Sequence, residues 1–121
     1  MAIKSILVVD DSPTDLKYLS DILVKNGYKV TTAENAEEAL SKVKQINPDL
    51  VLMDVVLPGQ NGYQATRTLS KDEATKHIPV IMCTTKGQET DKLWGMRQGA
   101  RDYIVKPASQ DDLLAKIKAL G

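Results

Sequence analysis

Asp10 and Asp11 stand directly after the apolar run Ile6-Leu7-Val8-Val9, and three further apolar runs end in the same manner. Leu50-Val51-Leu52-Met53 is followed by Asp54, Val80-Ile81-Met82-Cys83 by Thr84-Thr85, and Tyr103-Ile104-Val105 by Lys106-Pro107. Each of these residues alone has an ordinary explanation. Loops at strand ends are polar, aspartates favour turns and helix starts, and proline often ends a strand. An acidic pair, a single aspartate, a hydroxyl and a lysine at successive run ends form a much more specific pattern. Gathered at one rim, three carboxylates repel one another unless a cation lies between them. The donors are all oxygen, with no histidine or thiolate cluster nearby, so a hard ion is implied and Mg²⁺ suits better than zinc. Mg²⁺ keeps waters and commonly takes one or two carboxylates plus a phosphate oxygen, which leaves a place for a phosphoryl group.

Strands and helices in alternation would gather these residues. Continuous apolar runs of this length suit strands buried on both faces, whereas Tyr28 to Ala33 alternates more and suits an edge strand. Between the runs, Leu16, Leu19, Ile22 and Leu23 form one helical stripe that ends near Asn26-Gly27, and Ala36, Ala39, Leu40, Val43 and Ile46 form a second. Ser12-Pro13 reads as a helix cap with proline at the first helical position. Asn35 with Glu38 reads as a capping signal, repeated by Ser109 with Asp112 ahead of Leu113, Leu114, Ile117 and Leu120. Five alternations predict an α/β fold: a five-stranded parallel sheet with right-handed crossovers and five helices on both faces. For strand order 2-1-3-4-5 the order reverses between strands one and three, which carry the aspartates, and ligands of such sheets bind outside the carboxyl ends at that reversal.

A chain of 121 residues fits one compact domain, taken as 1–121, without linker or low-complexity segment. Lys and Arg total 16 against 16 for Asp and Glu, which disfavours binding to nucleic acid or an acidic membrane. The single cysteine, Cys83, has no internal disulfide partner and reads as a small buried hydrophobe in a reducing compartment. No apolar stretch approaches the roughly 18 residues that span a bilayer, and the N-terminus lacks a signal-peptide layout. A soluble, cytoplasmic protein without membrane insertion is expected.

Val8-Val9-Asp10-Asp11-Ser12, Leu52-Met53-Asp54-Val55-Val56-Leu57-Pro58-Gly59-Gln60-Asn61-Gly62, Thr84 and Lys106-Pro107 occur in the order and approximate spacing of the CheY-like receiver family. The chain resembles this family from Ile3 to its last helical pattern. The resemblance implies a two-component response regulator with Asp54 as phosphoacceptor. Asp10, Asp11, Asp54 and the backbone carbonyl of Val56 would hold Mg²⁺, and Thr84 and Lys106 would contact the phosphoryl group. That assignment is chemically sensible, because phosphoryl transfer asks a protein mainly to position groups and neutralise charge. A carboxylate nucleophile is already ionised at neutral pH and needs no general base. Tyr103 matches the family's switch aromatic, expected to turn inward when Thr84 moves, and the Lys106-Pro107 bond is expected to be cis. A histidine kinase, of chemotaxis type, would be the phosphodonor to a monomer that autodephosphorylates but is no conventional enzyme; neither a P-loop nor a second catalytic set is present.

Within the family, the segment from Thr84 to Tyr103, with Asp10-Asp11-Ser12-Pro13-Thr14 and Gly62-Tyr63-Gln64-Ala65-Thr66-Arg67, is similar to PilH-type regulators of type IV pilus twitching motility. Two departures stand out. Thr85 replaces a smaller residue, and Val56 is apolar where many relatives carry a polar side chain able to orient water; with Lys86 near the rim, these are expected to alter autodephosphorylation. A chain ending after the fifth helical pattern is expected to act by docking on a downstream motility protein. The resemblance points to the fourth helix, fifth strand and fifth helix, with Trp94, Arg97 and Tyr103 as contributors, although Trp94 also suits a packed core. The alternative is a phosphate sink that draws phosphoryl groups from a shared kinase. A phosphorylation-independent adaptor fits poorly with the full acidic, hydroxyl and lysine set.

Overall fold

The inner strands carry β-branched and long apolar side chains on both faces, so they suit a sheet that helices cover from two sides. In the computed structural model, which describes residues 2–121, the strands are β1 (Ser5–Val9), β2 (Lys29–Ala33), β3 (Leu50–Met53), β4 (Val80–Thr84) and β5 (Asp102–Val105). Alternating with them are α1 (Pro13–Lys25), α2 (Ala36–Ile46), α3 (Gly62–Lys71), α4 (Glu89–Arg97) and α5 (Gln110–Leu120). All pairings are parallel in the order β2-β1-β3-β4-β5, as the alternation predicts.

Successive strand residues point to opposite faces, and the two faces build separate cores. Leu7, Val9, Val51, Met53, Val80 and Met82 pack with Ala36, Ala39 and Val43 of α2 and Ala65 and Leu69 of α3. Ile6, Val8, Leu50, Leu52, Ile81, Cys83 and Ile104 pack with the α1 stripe Leu16, Leu19, Ile22 and Leu23 and with Leu113 and Ile117 of α5. The edge strand β2 is only part-buried, and it begins at Lys29; Tyr28, placed in the strand by its sequence pattern, packs at the margin of the α1–α5 core instead. Ile46 also departs from expectation: it is 43% exposed, because the apolar stripe of α2 stops at Val43 and the chain leaves the helix through Asn47, whose φ is 47°.

The caps fall where the residue types suggest. Ser12 Oγ accepts from the Asp15 amide, Asn35 Oδ1 from the Glu38 amide and Ser109 Oγ from the Asp112 amide. Register places the strand ends level: Val9 pairs with Met53, and Met53 with Met82. The Asp54 amide continues that ladder by donating to the Val9 carbonyl at 3.0 Å. Asp10 and Asp54 are therefore neighbours at the point where strand order reverses. No helix among the described residues is long and apolar enough to cross a membrane.

Candidate functional site

Asp10 is the residue that follows β1, and it is almost fully buried, as is Asp54 after β3, while Asp11 is exposed at the rim. One carboxylate oxygen from each lies within 4.8 Å of the other two. Such a set of oxygen donors, part-buried and open on one side through Asp11, suits a hard cation that keeps some of its waters. The Val56 amide donates to Asp54 Oδ1 at 3.2 Å, and the Ser12 amide donates to Asp10 Oδ1 at 3.0 Å. Each buried carboxylate thus has one oxygen fixed by backbone.

Lys106, after β5, reaches across the rim and holds the other oxygens. Its Nζ donates to Asp10 Oδ2 at 2.5 Å, to Asp15 Oδ2 at 2.9 Å and to Asp54 Oδ2 at 3.1 Å. Burial works against the charged ammonium, but the three carboxylates outweigh it and hold Lys106 above the usual lysine range. For Asp10, burial is the largest influence and raises its pKa despite the opposing bonds from Lys106 and Ser12. Three aspartates contact the one lysine and a fourth, Asp11, joins the oxygen cluster beside it, so the site carries an excess of negative charge that favours a further cation. Cys83, close to these charges, is a buried thiol pushed up to about 12, mainly by desolvation, and is inert as a nucleophile at neutral pH.

Thr84 is fully buried at the end of β4; its hydroxyl is in range of the Lys86 amide at 3.4 Å, and its carbonyl accepts from the Lys106 amide at 2.8 Å. The Lys106-Pro107 peptide bond is cis. Tyr103 is 8% exposed and points inward, its hydroxyl donating to the Lys86 carbonyl at 2.7 Å. Burial drives its phenol well above the ordinary range. In this conformation Tyr103 lies beneath the expected partner surface, since Gly95 of α4 lets the ring approach; a Cβ there would sit 3.0 Å from it. Trp94 is 48% exposed and is not core, and Arg97 is exposed beside it.

Five residues that shape the site escape the strand-end pattern. Asp15 sits inside α1, where an acidic first-turn residue reads simply as favourable for the helix dipole. Gly62 opens α3 so close to the phosphoacceptor candidate that a Cβ would lie 1.9 Å from the Asp54 carbonyl oxygen. Asn61 and Gln64 form a reciprocal capping box that fixes this helix start; their spacing is the signal that would have revealed it. Tyr63 extends the Tyr103 contact, donating to the Asp91 carbonyl at 3.1 Å and lying 3.4 Å from the Tyr103 hydroxyl.

A doubly wound, flavodoxin-like sheet with an acidic rim at its reversal point and a lysine bridging it defines the class. More particularly, the chain belongs to the response regulator receiver domain family, which it matches over residues 6–118. It is 55% identical over 115 residues to the protein PilH of Pseudomonas aeruginosa, covering 95% of each chain. The phosphate regulon regulator PhoB of the same organism is 42% identical, but the chain spans only 51% of it. Among solved structures, the chemotaxis protein CheY4 of Vibrio cholerae superposes with a TM-score of 0.91 at 30% identity, over 99% of this chain and 100% of that one. The receiver domain of a Pseudomonas aeruginosa sensor histidine kinase, solved with a magnesium ion in its active-site cleft, gives a TM-score of 0.89 at 29% identity over 98% and 97%. The protein is thus a CheY-like receiver of the two-component class.

Proposed function

We propose that residues 1–121 act as one receiver domain that is phosphorylated on Asp54 with Mg²⁺ and signals in the cytoplasm by phospho-dependent docking. The observation that carries this reading is Lys106 bridging Asp10 and Asp54 beside a compact set of three carboxylate oxygens. Asp54 accepts the phosphoryl group from a histidine kinase. The Val56 amide and Lys106 orient its carboxylate, and Lys106 then faces the incoming equatorial oxygens. Thr84 stands at the adjacent strand end, where its hydroxyl would donate a hydrogen bond to the same group. Asp10, Asp11, Asp54 and the Val56 carbonyl would hold Mg²⁺, which when bound supplies the positive charge that phosphoryl transfer requires.

Similarity to PilH supports a role in chemosensory control of type IV pilus twitching motility, with a chemotaxis-type kinase as donor. The exposed apolar side chains Leu93, Trp94 and Met96 on α4, flanked by Arg97, favour docking over a phosphate sink. Incubation with acetyl phosphate and Mg²⁺ tests the chemistry by intact mass. One added phosphoryl group is expected, prevented when Mg²⁺ is chelated beforehand and absent from a folded Asp54→Ala variant. Phosphorylation that persists unchanged in that variant contradicts the reading. A motility component retained only by the phosphorylated protein supports docking, whereas rapid turnover with no such partner supports the sink.

A further inference from the structure

A lysine ammonium has three N–H donors, and those of Lys106 meet the carboxylates of Asp10, Asp15 and Asp54. Asp15 stands outside the Asp10, Asp11 and Asp54 oxygen cluster. Its placement is nevertheless tied to that cluster. The Asp15 amide donates to Ser12 Oγ at 3.3 Å, and the Ser12 amide donates to Asp10 Oδ1 at 3.0 Å. The start of α1 is thereby pinned to the same Asp10 that receives the shortest Lys106 bond.

We propose that Asp15 is a positioning residue for phosphoryl transfer: together with Asp10 it fixes the Lys106 ammonium so that the remaining N–H faces Asp54. The inference rests on the phosphoacceptor reading above. An ammonium on a four-carbon stem is a mobile point charge, and one anchor leaves it free to rotate and swing. Two anchored N–H groups of a tetrahedral ammonium leave a single direction for the third donor. With acetyl phosphate, an Asp54 oxygen forms the new bond to phosphorus as the bond from phosphorus to the acetyl oxygen breaks. Acetate departs with that electron pair, and no proton moves. Lys106 remains charged throughout and exchanges only its third hydrogen bond, from the Asp54 oxygen to a phosphoryl oxygen. Asp15 never touches the phosphoryl group; its effect passes through Lys106.

The test is a double-mutant cycle on the rate of Mg²⁺-dependent labelling by acetyl phosphate, with Asp15→Ala, Lys106→Ala and the double variant. Asp15 is part-exposed on the first turn of α1, and thermal unfolding verifies that each variant is folded. Asp15→Ala is expected to slow labelling roughly three- to ten-fold, less than loss of a direct transition-state donor. In the Lys106→Ala background the same substitution is expected to have no further effect. Labelling of Asp15→Ala at the wild-type rate overturns the inference, and so does an equal slowing with Lys106 absent, since a merely structural role would persist there. Failure of the wild-type protein to label overturns the phosphoacceptor reading and this inference with it; labelling that is indifferent to Asp15 overturns this inference alone.

Discussion

Asp49 sits at the opposite end of β3 from Asp54, and its carboxylate closes the start of the sheet. Its Oδ2 accepts from the Lys4 amide at 2.9 Å and the Ser5 amide at 3.1 Å. Those two backbone bonds hold its pKa below the ordinary 3.8. A depressed folded-state pKa contributes stability above the unfolded value and loses it as pH falls through the folded one. Asp49→Asn should therefore destabilise by roughly 1 kcal/mol at pH 7, with the gap to wild type closing below about pH 4. Denaturant curves at both pH values measure this, and a gap that stayed constant on acidification would refute it. A second residue-scale prediction concerns Val56, which is 50% exposed at the rim. A polar side chain there can orient attacking water, so Val56→Asn should speed loss of the phosphoryl group from the purified protein. An unchanged decay rate excludes Val56 as a determinant.

Elements set the site's tolerances. The loop from β3 to α3 returns so tightly that the Gly62 amide donates to the Val55 carbonyl at 2.9 Å and leaves no room for a side chain. Gly62→Ala must displace the Asp54 backbone, and a destabilisation of roughly 1–3 kcal/mol is expected from such crowding. Chemical denaturation reads it directly; a neutral result would mean that the loop has space to yield. The residues of this loop are legible in sequence, and the close approach is not, because it arises only when α3 packs beside β3. The same distinction applies to α4. Its only buried residue is Gly95, so it offers no apolar stripe, and its seat against Tyr103 is decided by ring contact. Trp94 could not be assigned to core or surface from its type alone. The inward Tyr103 and its neighbour Tyr63 likewise depend on how α3 and α4 approach β5.

At the level of the whole molecule, the sheet with its two cores brings four separate chain segments to one rim. Strand order and the acidic reversal point were legible because apolar runs and polar ends alternate regularly. Asp15 was hidden because its partner Lys106 is 91 residues away in sequence. The α1–α5 core includes Leu113, which is fully buried. Leu113→Ala should lower stability by about 2–5 kcal/mol while leaving the labelling rate of the folded fraction near wild type, since Leu113 belongs to the α1–α5 core and not to the rim set of carboxylates and lysine. Unfolding curves paired with labelling rates measure both. A large rate effect at native temperature would mean that the core and the rim are coupled more tightly than the packing suggests.

Borohydride trapping locates the modified residue most directly. An aspartyl phosphate is reduced to homoserine, which peptide mass mapping places in the chain. After treatment with acetyl phosphate and Mg²⁺, homoserine is expected at position 54 and at no other aspartate. Homoserine at Asp10, Asp11 or Asp15, or none at all in protein that has gained phosphoryl mass, would contradict Asp54 as the phosphoacceptor.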